Sequence, residues 1–260
     1  MPCGAVKYFL MRYKARVAYH GGRYKGWQIQ PNQRTMQGEI ENALNKVFSK
    51  KIRIHASGRT DTGVHAKAQI IHFDILDSKL SAYKLQAALN SLTDYDIAIY
   101  DLSECDKNFH ARHSEHHKTY RYKFDMNSPA DPMTLDRAYK IPHSKLDFAV
   151  MAKFLKLLEG THDFSNFCSV DNSSETTIRT ILAVELSDLD SENKFYMDIT
   201  GKGFLQHMVR IVAGTMIEVG IDKISLEVAE SALINPGQRN ILGKTLPGHG
   251  LVLESIVYIE

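Results

Sequence analysis

The feature that most constrains the fold is an order of strands and helices that occurs twice along the chain. In the first half, apolar and polar residues alternate over Tyr13–Tyr19, which predicts a strand. A helical pattern, two short strand patterns, a second helical pattern and another strand follow it. These segments are Met36–Phe48, Ile52–Ala56, Ala68–Ile75, a helix after Ser81, and Ile97–Leu102.

The second half repeats this order and adds one short helix. Its segments are a strand at Lys118–Phe124, a helix at Leu146–Leu158 that ends before Gly160, strands at Ile178–Leu186 and Phe195–Thr200, a helix at Leu205–Val219, the additional helix near Ser225–Ile234, and a strand at Leu251–Tyr258. Two consecutive β-α-β-β-α-β units predict an α+β protein of two tandem ferredoxin-like halves. We expect domains at residues 1–105 and 106–260, and sheets of this type also occur in RNA-binding proteins.

Charge is distributed unevenly along the 260 residues, although the net charge is only +2. Residues 1–125 contain 20 Lys and Arg against 12 Asp and Glu, whereas residues 126–260 contain 12 against 18. A basic half is typical of a surface that faces a polyanion, but ordinary solvated lysines give the same numbers.

The composition also indicates a compartment. No run of about 18 apolar residues occurs, which predicts no membrane span. The first 14 residues lack the apolar segment and cleavage site of a signal peptide. Cys3, Cys105 and Cys168 are scattered and form no C-x-x-C pair, which favours a reducing environment. We therefore expect a cytoplasmic protein.

One carboxylate lies in a loop-like stretch between two predicted strands, SGRTDTGVHA at Ser57–Ala66. Gly58 and Gly63 permit backbone conformations that other residues resist, so a substrate can approach Asp61 closely. Arg59 is near enough in sequence to keep a carboxylate charged or to contact a phosphate. The structural alternative is a turn in which Asp61 caps its own backbone.

Asp-Thr-Gly is also the catalytic triplet of aspartic proteases, so that activity has to be considered. Those enzymes need two carboxylates that share one proton. This chain contains one such triplet, and Arg59 would oppose the shared-proton state. The sequence therefore disfavours an aspartic protease.

The predicted helix Leu205–Val219 has two different faces. At about 100° per residue, its large apolar residues fall in one arc, and Gly203, His207, Arg210 and Gly214 fall in the opposite one. Small residues beside an arginine predict that another surface approaches this stripe closely. The alternative is an exposed face that carries one arginine.

The strand KTYRYKF at Lys118–Phe124 has aromatic residues on one face and Arg121 and Lys123 on the other. Aromatic rings can stack on bases while cations contact phosphates, so the strand suits RNA. The alternative is an amphipathic strand with aromatic core residues.

Four nearby histidines, His110, His113, His116 and His117, lack a supporting cysteine pattern, and we predict no metal site.

Five ordered blocks together resemble the tRNA pseudouridine synthase A (TruA) family. These blocks are GRTDTGVHA at Gly58–Ala66, KTYRY at Lys118–Tyr122, HDFSNF at His162–Phe167, FLQHMVRIVAG at Phe204–Gly214 and GLVLESIVY at Gly250–Tyr258, and Tyr19–Leu44 fits as well. The resemblance covers nearly the whole chain. Thr62 stands where the family most often has Ala, a position that tolerates small residues.

The resemblance implies isomerisation of uridine to pseudouridine in the anticodon stem-loop of tRNA, usually at nucleotides 38, 39 and 40. It implies a fold with a central cleft, a homodimer, no cofactor and no required metal. Asp61, Tyr120 and Arg210 are then the expected catalytic residues: the nucleophile, the ring that packs on the target base, and the ionic partner of Asp61. The expected substrate-binding residues are Arg59, Tyr120, Leu251, His207 and Arg121.

A second hypothesis is a non-catalytic RNA-binding or tRNA-chaperoning module on the same sheets. Such a module would not need Asp61, Tyr120 and Arg210 together, so their joint presence favours the enzyme. Whether the carboxylate attacks the sugar or removes a ribose proton is left open by the sequence.

Overall fold

The computed structural model describes residues 10–76, 78–141, 145–169 and 174–259. They divide into two compact units. The first unit extends to Thr62 and resumes over Ala66–Ser114, and the second contains Gly63–His65 and the chain from Glu115 onward. Cys3 lies outside the described residues. The division into domains at residues 105 and 106 stays a prediction.

The first unit has the β-α-β-β-α-β order predicted from the sequence. Its elements are β1 (Leu10–Tyr19), α1 (Met36–Phe48), β2 (His55–Ala56), β3 (His65–Leu76), α2 (Ala82–Leu92) and β4 (Ile97–Glu104). The strands pair antiparallel in the order β4-β1-β3, and β2 pairs with β3. The helices begin after Thr35 and Ser81, whose side chains accept hydrogen bonds from the amides of Gly38 and Lys84.

The second unit repeats the order with additions. Its elements are β5 (His116–Asp125), β6 (Tyr139–Lys140), α3 (Phe148–Leu157), β7 (Gly160–Asp163), β8 (Ile178–Leu186), β9 (Lys194–Gly201), α4 (Met208–Gly220), α5 (Leu226–Ile234) and β10 (Leu251–Tyr258). The strand order is β10-β5-β9-β8-β7, and β6 pairs with β5 in parallel. The predicted α+β class with two ferredoxin-like halves is confirmed.

Some elements differ in extent from the sequence prediction, and two were not predicted. The strand expected from Ile52 is regular only at His55–Ala56. The helix expected from Leu205 begins at Met208, because His207 has a φ of +63° and cannot belong to a right-handed helix. The strands β6 and β7 were not predicted, since two and four residues are too few for alternation to be recognised.

Alternation along the strands selects the residues that form each core. In β1 the side chains of Tyr13, Ala15, Val17 and Tyr19 are buried. In β5 the side chains at even-numbered positions from His116 to Phe124 are buried, and those between them are half-buried. Within the described residues, no helix is long and apolar enough to cross a membrane.

Candidate active site

The loop that carries Asp61 lies against the backbone of Gly26 and Trp27 in the first unit. The Trp27 amide donates to the Thr60 carbonyl at 3.0 Å. Gly26 has a φ of +83°, and a Cβ built there would lie 2.8 Å from the same carbonyl oxygen. A side chain at residue 26 would therefore push the loop away. Thr60 is buried, whereas Asp61 is half-buried and Arg59 is exposed.

The end of this loop belongs to the second unit, where His65 holds it. Its Nε2 lies 3.0 Å from the carbonyl oxygens of both Asp136 and His249. Carbonyl oxygens only accept hydrogen bonds, so this nitrogen carries a proton. Gly63 has a φ of +79° and packs beside Gly248 and His249. Burial lowers the pKa of His249; the charge of Asp136 and a hydrogen bond to the Ala138 backbone oppose this shift, and the positive charge of Arg210 adds slightly to it.

Tyr120 lies on the buried face of β5 in the second unit. It is 8% exposed, and its ring meets Phe204 edge to face with 5.1 Å between centroids. Tyr120 is opposite Ile199 on β9 and Leu253 on β10. Leu251 is two residues before Leu253 on the same face and is also buried, so it lies diagonally across from Tyr120.

Arg121 lies on the other face of β5, where its side chain contacts two residues of β9. Its Nε and an Nη donate to the two carboxylate oxygens of Asp198 at 2.8 and 2.7 Å. Its guanidinium also lies over the Tyr196 ring, 3.7 Å from the centroid. The Asp198 carboxylate raises the pKa of Arg121. The expected contact between Arg121 and substrate stays a prediction, and any phosphate would have to share the guanidinium with Asp198.

Arg210 is in the first turn of α4 and is half-buried. Its Nε donates to the Leu246 carbonyl at 2.7 Å, and the Leu246 amide donates to the Arg210 carbonyl at 3.2 Å. A Cβ at Gly214 would lie 1.9 Å from the Lys244 carbonyl oxygen. The close approach predicted for this stripe is therefore confirmed at Arg210 and Gly214, where the approaching surface is the chain segment before β10, but not at Gly203. The alternative of an exposed face is wrong.

The two other members of the predicted stripe lie outside the helix. His207 precedes α4 as its N-terminal flanking residue and is half-buried, and Gly203 lies in the connection after β9. Arg210 and Gly214 are thus the helical part of the stripe. Binding roles for His207 and Arg59 stay predictions.

Among the four histidines considered for metal binding, three have aromatic rings as neighbours. In the first unit, the His110 ring is tilted against that of His113 and edge-on to that of His72, with centroids 4.3 and 4.5 Å apart. In the second unit, His116 packs on Tyr258. Among the described residues, no group of three or more His, Cys, Asp or Glu side chains could hold a metal ion.

Two parts of the site were not singled out by sequence reasoning. Phe204 contacts the ring of Tyr120, but an isolated aromatic residue before a helix gives no signal of its own. The segment Gly243–Gly250 contacts α4, Tyr122 and His65. Its three glycines within eight residues, in GKTLPGHG, indicated close backbone approach and could have led to it.

Comparison with known proteins identifies the chain. The family model described as tRNA pseudouridine synthase matches residues 15–114 and 154–258. A Listeria welshimeri protein named tRNA pseudouridine synthase A is 41% identical over 250 residues, which are 96% of this chain and 100% of that protein. A Geobacillus protein of the same name is 42% identical over 248 residues, with 95% and 98% covered. The chain belongs to the tRNA pseudouridine synthase family.

Other comparisons agree or add little. A Streptococcus mutans tRNA pseudouridine synthase A is 36% identical over 250 residues, with 96% of this chain and 99% of that protein covered. The crystal structure of a Cbf5-Nop10-Gar1 complex aligns at 10% identity with a TM-score of 0.33, over 93% of this chain and 56% of that one. A TM-score this low supports no conclusion.

Membership in the tRNA pseudouridine synthase family confirms the predicted enzyme class, an isomerase that acts on tRNA. The residues matched by the family model include Arg59, Asp61, His207, Arg210 and Leu251. Tyr120 and Arg121 lie between the two matched ranges. The roles of the individual residues stay predictions.

Proposed function

We propose that this protein isomerises uridine to pseudouridine in the anticodon stem-loop of tRNA, at nucleotides 38, 39 and 40. The observation that carries the proposal is the family match over both units together with the loop Ser57–Ala66. The reaction breaks the glycosidic C1′–N1 bond and forms a C1′–C5 bond. The C5 hydrogen leaves to solvent as a proton, and N1 gains a proton, so neither oxidant nor cofactor is required.

Asp61 is the proposed nucleophile. A carboxylate can attack a sugar carbon without a general base, unlike a serine hydroxyl, which must first lose its proton. The same carboxylate could instead remove a ribose proton, and both routes need it beside the extruded nucleotide. The anchoring of Thr60 on Gly26 and Trp27 supports this role, because it fixes the backbone next to Asp61.

Tyr120 is proposed to pack on the target base, and Arg210 to be the ionic partner of Asp61. The edge-to-face contact with Phe204 supports the first role, since it fixes the orientation of the ring. The Nε bond to the Leu246 carbonyl supports the second, because it restricts the orientation of the guanidinium. An extruded base loses its stacking partners at a cost of a few kcal/mol, which aromatic contact partly offsets.

The partners follow from the same proposal. tRNA is the substrate, Arg59, Leu251, His207 and Arg121 contact it, and the enzyme is a cytoplasmic homodimer. The surplus of Lys and Arg in residues 1–125 supports binding to a polyanion. Light scattering during gel filtration tests the dimer directly: the mass of one 29.4 kDa chain at micromolar concentration would contradict it.

The activity is tested by tritium release from C5-labelled uridine in tRNA, followed by mapping of the modified nucleotides. We expect release in proportion to the number of uridines at positions 38, 39 and 40. A folded protein that binds tRNA but releases no tritium would favour the non-catalytic RNA-binding module. Pseudouridine only outside the anticodon stem-loop would contradict the proposed position and leave the reaction intact.

A further inference from the structure

In the first unit, buried polar side chains form hydrogen bonds to the loop residues that precede Arg59 and Asp61. We call these side chains and their hydrogen bonds the network. Gln69 lies on β3 and is fully buried. Its Oε1 accepts from the Ser57 hydroxyl at 2.6 Å, and its Nε2 donates to the Gly58 carbonyl at 2.8 Å. The Ser57 amide also donates to the Ile70 carbonyl at 2.9 Å. The start of the loop is therefore fixed by three hydrogen bonds to β3.

Tyr19, the last residue of β1, holds the same loop from a second side. Its hydroxyl and the Thr60 hydroxyl are 2.7 Å apart, and both side chains are buried. Tyr19 and Gln69 thus bind the same loop at neighbouring residues, Tyr19 through Thr60 and Gln69 through Ser57 and Gly58. Burial raises the pKa of the Tyr19 phenol, so the hydroxyl stays protonated.

Along the loop, residues that are hydrogen-bonded to the network alternate with residues whose side chains are accessible to solvent. Ser57, Gly58 and Thr60 are bound by the network, whereas Arg59 is exposed and Asp61 is half-buried. The backbone partner of Thr60 is itself fixed, because the amides of Met36 and Gln37 at the start of α1 donate to the carbonyls of Gly26 and Trp27. Each side chain proposed to meet substrate therefore follows directly after an anchored residue.

We propose that Tyr19 and Gln69 are positioning residues for the nucleophile: they act through Thr60 and Gly58 to hold the Asp61 carboxylate in its reactive place. This inference rests on the proposed role of Asp61. Neither side chain is proposed to contact the substrate. Its contribution is to the rate of the chemical step, because a displacement of about 1 Å in a reacting group can cost on the order of 100-fold.

The hydrogen bond between Tyr19 and Thr60 can be removed from either end. Tyr19→Phe deletes only the hydroxyl, and Thr60→Val deletes its partner while preserving a branched side chain. We expect each variant to lower kcat by about 10- to 100-fold while the KM for tRNA changes less than about twofold. Because both changes break the same bond, the double variant should lose no more than either single variant.

The matched control is Tyr13→Phe. Tyr13 is on the same strand and the same face, is fully buried, and its hydroxyl lies 3.9 Å from the Met11 sulfur, away from the loop. It should keep the wild-type kcat. Thr60→Ser keeps the hydroxyl and should restore most of the rate lost in Thr60→Val. Thermal unfolding of each variant identifies any that fails to fold, and the Thr60 pair then decides the question.

A folded Tyr19→Phe with wild-type kcat, or a loss confined to KM, would overturn the positioning role. So would additive losses in the double variant. Asp61→Asn is assayed beside these variants. If it retains activity, the proposed nucleophile fails; if it is inactive while Tyr19→Phe is fully active, only the positioning role fails.

Discussion

Arg210 and Leu246 exchange two hydrogen bonds: the arginine Nε donates to the leucine carbonyl at 2.7 Å, and the leucine amide donates to the arginine carbonyl at 3.2 Å. This pair attaches the first turn of α4 to the segment that leads into β10. One turn further along α4, Gly214 lies against the Lys244 carbonyl. The orientation of Arg210 therefore depends on a backbone contact that only glycine permits.

Gly214→Ala should destabilise the protein by about 3 kcal/mol or more, because its Cβ would lie 1.9 Å from the Lys244 carbonyl oxygen and the backbone would have to move. Gly203→Ala is the control, since its Cβ would meet nothing nearer than Arg179 at 4.0 Å. Chemical unfolding measures both. Equal stability of the two variants would contradict the packing described for α4.

Tyr120→Ala should reduce pseudouridine formation severely, since stacking between a base and an aromatic ring contributes about 1–3 kcal/mol. The ring meets the base only after extrusion, so tRNA affinity should change little. Tyr120→Phe keeps the ring and should retain the wild-type rate if the ring is a stacking platform. A Tyr120→Phe variant as slow as Tyr120→Ala would show instead that the hydroxyl takes part in the reaction. Single-turnover rates distinguish these results.

Stability should fall as the pH decreases from 6.5 towards 4 because of His72. Burial, followed by the charges of His110, Arg12 and His55, lowers the pKa of His72 from 6.5 to about 4, and Asp74 opposes this shift. Between these values the unfolded chain binds a proton that the folded one excludes, so acid favours unfolding. One pKa unit corresponds to about 1.4 kcal/mol, so His72 alone accounts for on the order of 1–3 kcal/mol.

The variant His72→Asn tests this pH dependence. The Nδ1 of His72 accepts from the Ala111 amide at 3.1 Å, and the Asn side-chain oxygen can occupy a similar place. Urea unfolding at pH 7 and pH 5 should show a smaller loss of stability in the variant than in the wild-type protein. An equal loss in both would assign the acid sensitivity to other groups.

tRNA binding should weaken as salt rises, because each phosphate neutralised contributes a slope of about −0.7 to −0.9 in log K against log salt. Lys50, Lys51 and Arg53 form a basic cluster in the sequence of the first unit. Lys51→Glu is a better probe of this cluster than Arg53→Glu, because Arg53 already pairs with Glu41 at 3.4 Å. It should weaken all tRNAs alike, since phosphate contacts carry no sequence information.

The control for Lys51→Glu is Lys153→Glu, which makes the same charge change at an exposed position of α3. It should have a smaller effect on binding. Filter binding at 50 and 200 mM salt measures both variants. An affinity that does not change with salt would contradict an electrostatic interface.

The sequence was sufficient to predict the strands and helices whose hydrophobic pattern extends over many residues. Alternation over Tyr13–Tyr19 and Lys118–Phe124 identified β1 and β5, and the helical spacing from Met36 identified α1. It was insufficient where a partner distant in sequence decides the structure. The pairing of Arg121 with Asp198, for example, depends on the register of β5 against β9. The sequence was also insufficient where one residue leaves the helical conformation: the left-handed backbone of His207 shortens α4 at its start.

Prediction of the candidate site from the sequence was incomplete for the same reason. Asp61 was singled out from its glycine-flanked loop, and Arg210 from its position beside Gly214. The network that holds the loop was not anticipated, because Gln69 is 12 residues from Ser57 and Tyr19 is 41 residues from Thr60. Polar residues that alternate with apolar ones in a strand carry no signal of which loop they will contact.

The most direct test of the account is pseudouridine formation by Asp61→Asn. The substitution preserves the size of the side chain and its capacity to cap a turn, but it removes the charge and most of the nucleophilicity. If Asp61 is the nucleophile, the purified, folded variant will bind tRNA with near wild-type affinity and form no measurable pseudouridine. If Asp61 only caps the turn, the variant will form pseudouridine at close to the wild-type rate, and that result would contradict the account.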